Sequence, residues 1–188
     1  MAIVANKQLL TIDAYYIKTV LIHYWRFERQ MMSVDEYNSM DVAAIKDNRF
    51  IECEVKISKS DLLNDKKKAK HYMYKEKNYF PQYGAKSAIP VNQIAKMPNF
   101  FYFVVPEVLG EIALKEAQRI NDNYGVIVIC ATSQSLEYGS TEGSVWVRKI
   151  ARHLHTEKLD REYLYFHIGK RASAKLRILY GKRQEVLI

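Results

Sequence analysis

The run from Asp41 to Lys56 limits the possible folds of this chain more than any other stretch. An isolated acid, Asp41, opens a short apolar segment, Val42-Ala43-Ala44-Ile45, and a polar turn, Lys46-Asp47-Asn48-Arg49, follows. Next comes Phe50-Ile51-Glu52-Cys53-Glu54-Val55-Lys56. Alternate residues of a strand share a face. Ile51, Cys53 and Val55 are therefore expected to point toward a core, and Glu52, Glu54 and Lys56 the other way. The prediction is a hairpin, residues 40–46 and 49–57, whose second strand carries charge on one face inside an apolar sheet. Two acids and a lysine, joined by Asp41 from the neighbouring strand, have the chemistry to hold a divalent metal. They could also steer a phosphate and a water against it.

Around this hairpin the apolar spacing switches between helix and strand. Residues 6–30 read as a helix, because Leu10, Ala14, Ile17, Leu21 and Tyr24 recur at three-and-four spacing. Glu28, seven residues after Leu21, falls on the same face. Residues 31–37 read as a first strand, with Met32, Val34 and Glu36 on one side. Either Ser58 or Ser60 caps a helix that continues to about Lys77. On it Asp61 and Asp65, four residues apart, share a face. Residues 78–99 contain Pro81, Gly84, Pro90 and Pro98 and show no period, so they read as an irregular excursion. Its Tyr79, Phe80, Tyr83 and Lys86 suit either a nucleic-acid groove or a folded-back cover. Buried strands are expected at 100–105 and 124–132, a helix at 107–122 and a polar loop at 133–143. Helices are expected at 144–155 and 160–180, with Gly169 a weak point in the second.

A chain of 188 residues with 48% apolar composition has enough material for one domain with a core. The expected division is a core over residues 1–143 and a basic helical extension over residues 144–188, packed on the same domain. No apolar stretch is long enough to span a bilayer, which argues against a membrane partner. Residues 1–10 lack the charged start and apolar core of a signal peptide, so a cytoplasmic setting is expected. Cys53 and Cys130 fall in expected strands and read as small buried hydrophobes rather than a disulfide or metal pair. No zinc spacing, serine-base triad, glycine-rich nucleotide loop or nucleophilic cysteine pattern is present. The net charge is +8, and residues 145–183 hold 11 of the 29 basic residues but only 3 of the 21 acidic ones. A basic segment with interleaved aromatics suits a polyanion. Arg148, Arg152, Lys170, Arg171 and Lys175 are its candidate phosphate contacts, the alternative being a solvated helix face.

The order acid, hairpin, acid-any-lysine resembles the PD-(D/E)XK nuclease superfamily, the restriction-endonuclease-like fold. Asp41 matches the first acid, Glu54 the second and Lys56 the lysine. Met40 stands where a proline sometimes precedes the first acid. Further stretches resemble the MmcB-type DNA-repair branch: Lys56-Ile57-Ser58-Lys59-Ser60-Asp61-Leu62, Asp65-Lys66, His71-Tyr72, Phe101 to Pro106 and Tyr124 to Val128. Leu62 replaces the aromatic usual there. The likeness runs over residues 5–131.

The resemblance implies an α/β fold with a mixed central sheet of about five strands flanked by helices, followed by C-terminal helices. It implies metal-dependent hydrolysis of phosphodiester bonds in DNA, in repair or recombination, close to the nucleoid. Asp41, Glu54 and the main-chain carbonyl of Val55 are the implied ligands of Mg²⁺ or Mn²⁺, a hard cation that takes oxygen donors. Lys56 is implied to position the attacking water or to offset charge building on phosphorus. Glu36 and Glu28 are auxiliary candidates for a second metal or a water. Glu52 is either a ligand acting through water or an exposed hairpin residue. Asp61 and Asp65 follow the site on its helix. Lys59, Lys66 and Lys70 give nucleic-acid backbone contacts or face solvent, as do Lys67 and Lys68. For His71 a packed or exposed role is expected. Two alternatives stand beside DNA cleavage: a nuclease acting on RNA, and a nucleic-acid-binding module with an inactive core. Oligomeric state is open, although two-strand cleavage favours a dimer.

Overall fold

Three strands joined by two tight turns form the first half of one six-stranded sheet. The computed structural model describes residues 12–75, 91–130 and 145–185. Residues 6–11 of the first expected helix lie outside them. So do the end of the second helix past Lys75, residues 78–90 with Tyr79, Phe80, Tyr83 and Lys86, and the loop at 133–143. The elements are α1 (Ala14–His23), β1 (Met32–Tyr37), β2 (Met40–Lys46), β3 (Arg49–Val55), α2 (Lys59–Asp65) and α3 (Ala69–Lys75). The chain continues with α4 (Val91–Ile94), β4 (Phe100–Pro106), α5 (Gly110–Ile120), β5 (Gly125–Ile129), β6 (Val145–Lys149) and α6 (Arg161–Glu185). Strand order is β1-β2-β3-β4-β5-β6. The β3–β4 and β4–β5 pairs are parallel and the others antiparallel, so the protein is α/β with a mixed open sheet.

Side-chain alternation builds two apolar layers. On one face α1 lays Ile17, Val20 and Leu21 against Val42, Ala44, Ile51, Cys53, Val55, Val104 and Ile127. On the other, Leu62, Tyr74, Ala113 and Ala117 pack on Phe101, Phe103, Tyr124 and Val126. Farther along that face, Leu164 and Ile168 of α6 cover Val34, Ala43, Ile45 and Phe50. Each large apolar side chain fully enclosed this way contributes about 1.5–3 kcal/mol relative to exposure. Between the two apolar groups of this second face lie Glu52 and Glu54 of β3.

Two residues fix the middle of the sheet. Asn99 is fully buried; its Oδ1 accepts from Phe50 N (2.8 Å) and its Nδ2 donates to the Asn48 carbonyl (2.8 Å). It thereby ties the start of β3 to the start of β4. At Gly125 an added Cβ would lie 2.3 Å from Tyr102 Cε1 and 2.7 Å from Ala151 N, so only glycine fits.

The structure corrects three expected elements. Residues 145–149 are a strand, not part of a helix, and the sheet therefore has six strands rather than about five. Val145, Trp146 and Val147 are β-branched or aromatic, which favours a strand, and the edge position leaves much of their surface exposed. The helix after Ser58 is broken at Lys66–Lys68, where Lys67 N donates to Asn64 O and Lys68 N to Asp65 O in tight turns. Asn64 and Asp65 are weak helix formers, and three consecutive like charges follow them. The first helix ends in a wider π turn, Tyr24–Glu28, which shifts the face and leaves Glu28 exposed at its end. Cys53 is buried, and burial pushes its thiol pKa up to about 12. Among the described residues no helix is long and apolar enough to cross a membrane.

Candidate functional site

The hairpin register sets three acids in a row. Val42 pairs with Cys53, so one step farther Asp41 lies opposite Glu54. Asp35 pairs with Val42 and Tyr37 with Met40, so Glu36 lies opposite Asp41. Like charges directly opposed across strands repel, and a row of three needs cations beside it. Two separate groups supply them, one with three lysines and one with Lys18 alone.

The larger group surrounds Glu54. Glu52, Glu54 and Lys56 are 1%, 3% and 3% exposed. The Lys56 ammonium reaches Glu54 Oε1 at 3.0 Å, Asp61 Oδ1 at 3.2 Å and Asp65 Oδ1 at 2.7 Å. Lys68 pairs with Glu54 and, at 2.8 Å, with Asp65. Lys70 bridges Glu54 and Glu52, the latter at 2.6 Å, and sits 5.4 Å from the centre of the Phe101 ring. The Tyr74 hydroxyl donates to Glu52. Four carboxylates against three ammonium groups leave little net charge, which is what permits burial.

Behind Lys56 the network continues inward. His71 Nε2 lies 2.7 Å from Asp65 Oδ2, and Nδ1 lies 2.8 Å from the Tyr124 hydroxyl. Burial alone would raise the Asp65 pKa. Contacts with His71, Lys56 and Lys68 outweigh it and hold the carboxyl below its ordinary value. Burial also opposes ionisation of Glu54, but Lys70 and Lys68 lower its pKa. Lys56 is held above its usual pKa because Asp65 and Glu54 overcome the burial that would lower it.

The smaller group surrounds Asp41. Its Oδ2 accepts from Val55 N (2.8 Å) and its Oδ1 faces the Lys18 ammonium (2.9 Å), which also holds Glu36. Glu36 has a left-handed backbone (φ 55°), and its own strand pairing is interrupted there. Lys18 belongs to α1, the helix that covers the face opposite α2 and α3. Asp41 and Glu54 are thus neighbours by register, but their carboxylates point into different networks.

The structure therefore brings together Glu54, Lys56, Glu52, Asp61, Asp65 and Lys70. It keeps Asp41 with Glu36, and Glu28 lies outside both groups. Glu52 is buried, not exposed. Ser58 rather than Ser60 caps α2, accepting from Asp61 N at 3.2 Å. His71 is buried (3% exposed). Of the expected nucleic-acid contacts, Lys59, Lys66, Lys170 and Arg171 are exposed. Arg148 pairs with Glu111, Arg152 with Asp122 and Lys175 with Asp35. Sequence reasoning passed over Lys18 and Tyr74 altogether, and it placed Tyr124 in a buried strand with no part in the site. It read Lys68 as a nucleic-acid backbone contact or a solvated charge, not as a partner of Glu54 and Asp65.

The oxygen donors Asp41, Glu54 and Val55 suit a hard cation in type. In this arrangement they do not form a cation site. Lysine ammonium groups occupy both carboxylates, and among the described residues no three Asp, Glu, His or Cys side chains are grouped to hold a metal ion. No family model, curated protein or solved structure matches the chain.

Proposed function

We propose that this chain is a metal-dependent nuclease with a restriction-endonuclease-like core that cuts phosphodiester bonds in DNA, in a repair or recombination setting at the nucleoid. One observation carries the reading. At one end of the β2–β3 hairpin Lys56 and Glu54 stand 3.0 Å apart, and Asp41 is hydrogen-bonded to the amide of the residue between them. Ionised groups buried this way cluster at functional sites. In this reading Lys56 faces a phosphate oxygen and opposes the charge that develops there. The reading requires Mg²⁺ or Mn²⁺, and for either to bind, Lys68 and Lys70 must release Glu54 and Lys18 must release Asp41. Lys68 is nearly half exposed, and in this reading it exchanges its pairs with Glu54 and Asp65 for a phosphate. The exposed Lys59, Lys66, Lys170 and Arg171 supply non-specific backbone contacts.

A second reading has its own observation. Lysines occupy every oxygen of Glu54, as expected of a nucleic-acid-binding module whose nuclease core is inactive. Linear, circular, single-stranded and branched DNA, together with RNA, incubated with and without Mg²⁺ or Mn²⁺, separates the two. The nuclease reading expects cation-dependent cleavage that Glu54→Gln abolishes and Lys56→Ala slows by about 10²-fold. Retained binding with no cleavage under any cation establishes the binding module, and preference for RNA redirects the substrate.

A further inference from the structure

We infer that His71 and Tyr124 are positioning residues for the Lys56 ammonium, acting through Asp65. The inference rests on the reading of Lys56 as the cation that faces the phosphate. A lysine side chain is a flexible stem ending in three rotatable donors, so it holds one position only if its partners do. Asp61 is a weak anchor, because its side chain is 54% exposed. Asp65 is fully enclosed and lies closest, at 2.7 Å.

What fixes Asp65 is the imidazole of His71. A carboxylate on the last residue of α2 can rotate about its final bond. His71 Nε2 pins Oδ2 at 2.7 Å, which leaves Oδ1 directed at Lys56 and Lys68. Asp65 is ionised, so Nε2 carries the proton it donates. Nδ1 is then the acceptor for the Tyr124 hydroxyl, whose own proton is retained because burial raises its pKa. The Tyr124 bond therefore satisfies the nitrogen that this tautomer leaves without a proton and fixes the ring's orientation toward Asp65. Ring contacts hold the imidazole in place: its centre lies 5.5 Å from that of Phe101, edge to face. The string joins Tyr124 ahead of β5, His71 on α3, Asp65 on α2 and Lys56 after β3. His71 touches Asp65 and Tyr124 touches His71, so both act on Lys56 only through that carboxylate.

Tyr124→Phe is the mildest break, removing one hydroxyl and keeping the ring. Tyr102→Phe is its matched control: Tyr102 is also buried, and its hydroxyl accepts from Ala151 N at 3.2 Å. The readout is the ¹H–¹⁵N NMR signal of the Lys56 ammonium in the full chain, assigned by its loss in Lys56→Met. Cleavage rate and DNA affinity are measured beside it. In Tyr124→Phe and His71→Leu the Lys56 signal shifts and broadens. Turnover falls about tenfold, the lower end for loss of an outer hydrogen-bond partner, while affinity stays within about twofold. Tyr102→Phe leaves the signal in place even if its Tm falls equally. An unmoved Lys56 signal in Tyr124→Phe, or an equal shift in Tyr102→Phe, overturns the inference. If the parent protein cuts no nucleic acid, the nuclease reading falls, and the Lys56 signal still decides whether the string positions Lys56.

Discussion

Asp65→Asn removes a charge from the most enclosed point of the cluster while keeping its shape. Two ammonium groups lie within 2.8 Å of one carboxylate oxygen, and the His71 ring lies at 2.7 Å from the other. Removing one partner of a buried ion pair costs about 3–5 kcal/mol. The cost here belongs at the lower end, about 3 kcal/mol, for two reasons. Lys56 keeps Glu54 at 3.0 Å and Asp61 at 3.2 Å, and Lys68 is exposed enough to turn to water. In a domain of this size 1 kcal/mol moves Tm by about 2–4 °C, so the expected fall at pH 7 is about 6–12 °C.

The pH dependence makes the sharper test. Burial would raise the Asp65 pKa, and its contacts with His71, Lys56 and Lys68 lower it below the ordinary 3.8. A depressed folded-state pKa adds stability that is fully present above the unfolded value and is lost as pH falls through the folded one. Urea unfolding of both proteins, followed by circular dichroism, should therefore give a gap that is constant from about pH 5 to about pH 8 and closes in stronger acid. A gap within about 0.5 kcal/mol at pH 7, the range of an ordinary surface change, refutes the reasoning. So does a gap that ignores acid.

Three further outcomes are expected. Gly125→Ala forces a Cβ to within 2.7 Å of the Ala151 backbone nitrogen and should cost about 1–3 kcal/mol or more in a thermal melt. Ser58→Ala removes the α2 cap and should cost about 1 kcal/mol, whereas Ser60→Ala should stay within about 0.5 kcal/mol, both by chemical denaturation. Lys170→Gln combined with Arg171→Gln should lower the slope of log affinity against log salt on duplex DNA by about 0.9 for each phosphate that the pair neutralises; an unchanged slope assigns both residues to solvent.

The hairpin was legible because a strand's period of two leaves no freedom: any slip of one residue would send Glu52 and Glu54 into the α1 layer and Cys53 out of it. That Asp61 and Asp65 share a face of α2 was legible from their four-residue spacing, but their approach to Lys56 was not. Burial was not legible. Alternating charge in a strand ordinarily marks a solvated face, and nothing local to Glu52 says that Lys70 and Tyr74 will cover it. Nor does sequence spacing reveal that Lys18, on α1, will reach Asp41, or that Tyr124 will meet His71 across 53 positions. These partners are set by how the helices close on the sheet. The strand at Val145–Lys149 escaped because an edge strand exposed on much of its surface lacks an apolar period to detect.

Whether the cluster is kept for stability or for chemistry is open to a direct comparison. A buried ionic group is weak support for stability, since well-packed apolar residues of similar volume often replace it at no cost or with a gain of about 1–4 kcal/mol. The string Lys56, Asp65, His71 and Tyr124 can be replaced as a unit by Met, Leu, Leu and Phe. Glu54 then keeps Lys68 and Lys70, so no carboxylate is left buried without a cation. The single change Asp65→Asn leaves two ammonium groups short of a charge, whereas the fourfold change leaves none of the four groups to satisfy. The fourfold variant should therefore be the more stable of the two by urea unfolding, despite three additional substitutions. If its nucleic-acid binding survives while cleavage is lost, the buried charges serve the reaction and not the fold. If it is instead less stable than Asp65→Asn, the cluster is part of what holds α2 and α3 on the sheet, and burial of Lys56 ceases to be an argument for chemistry.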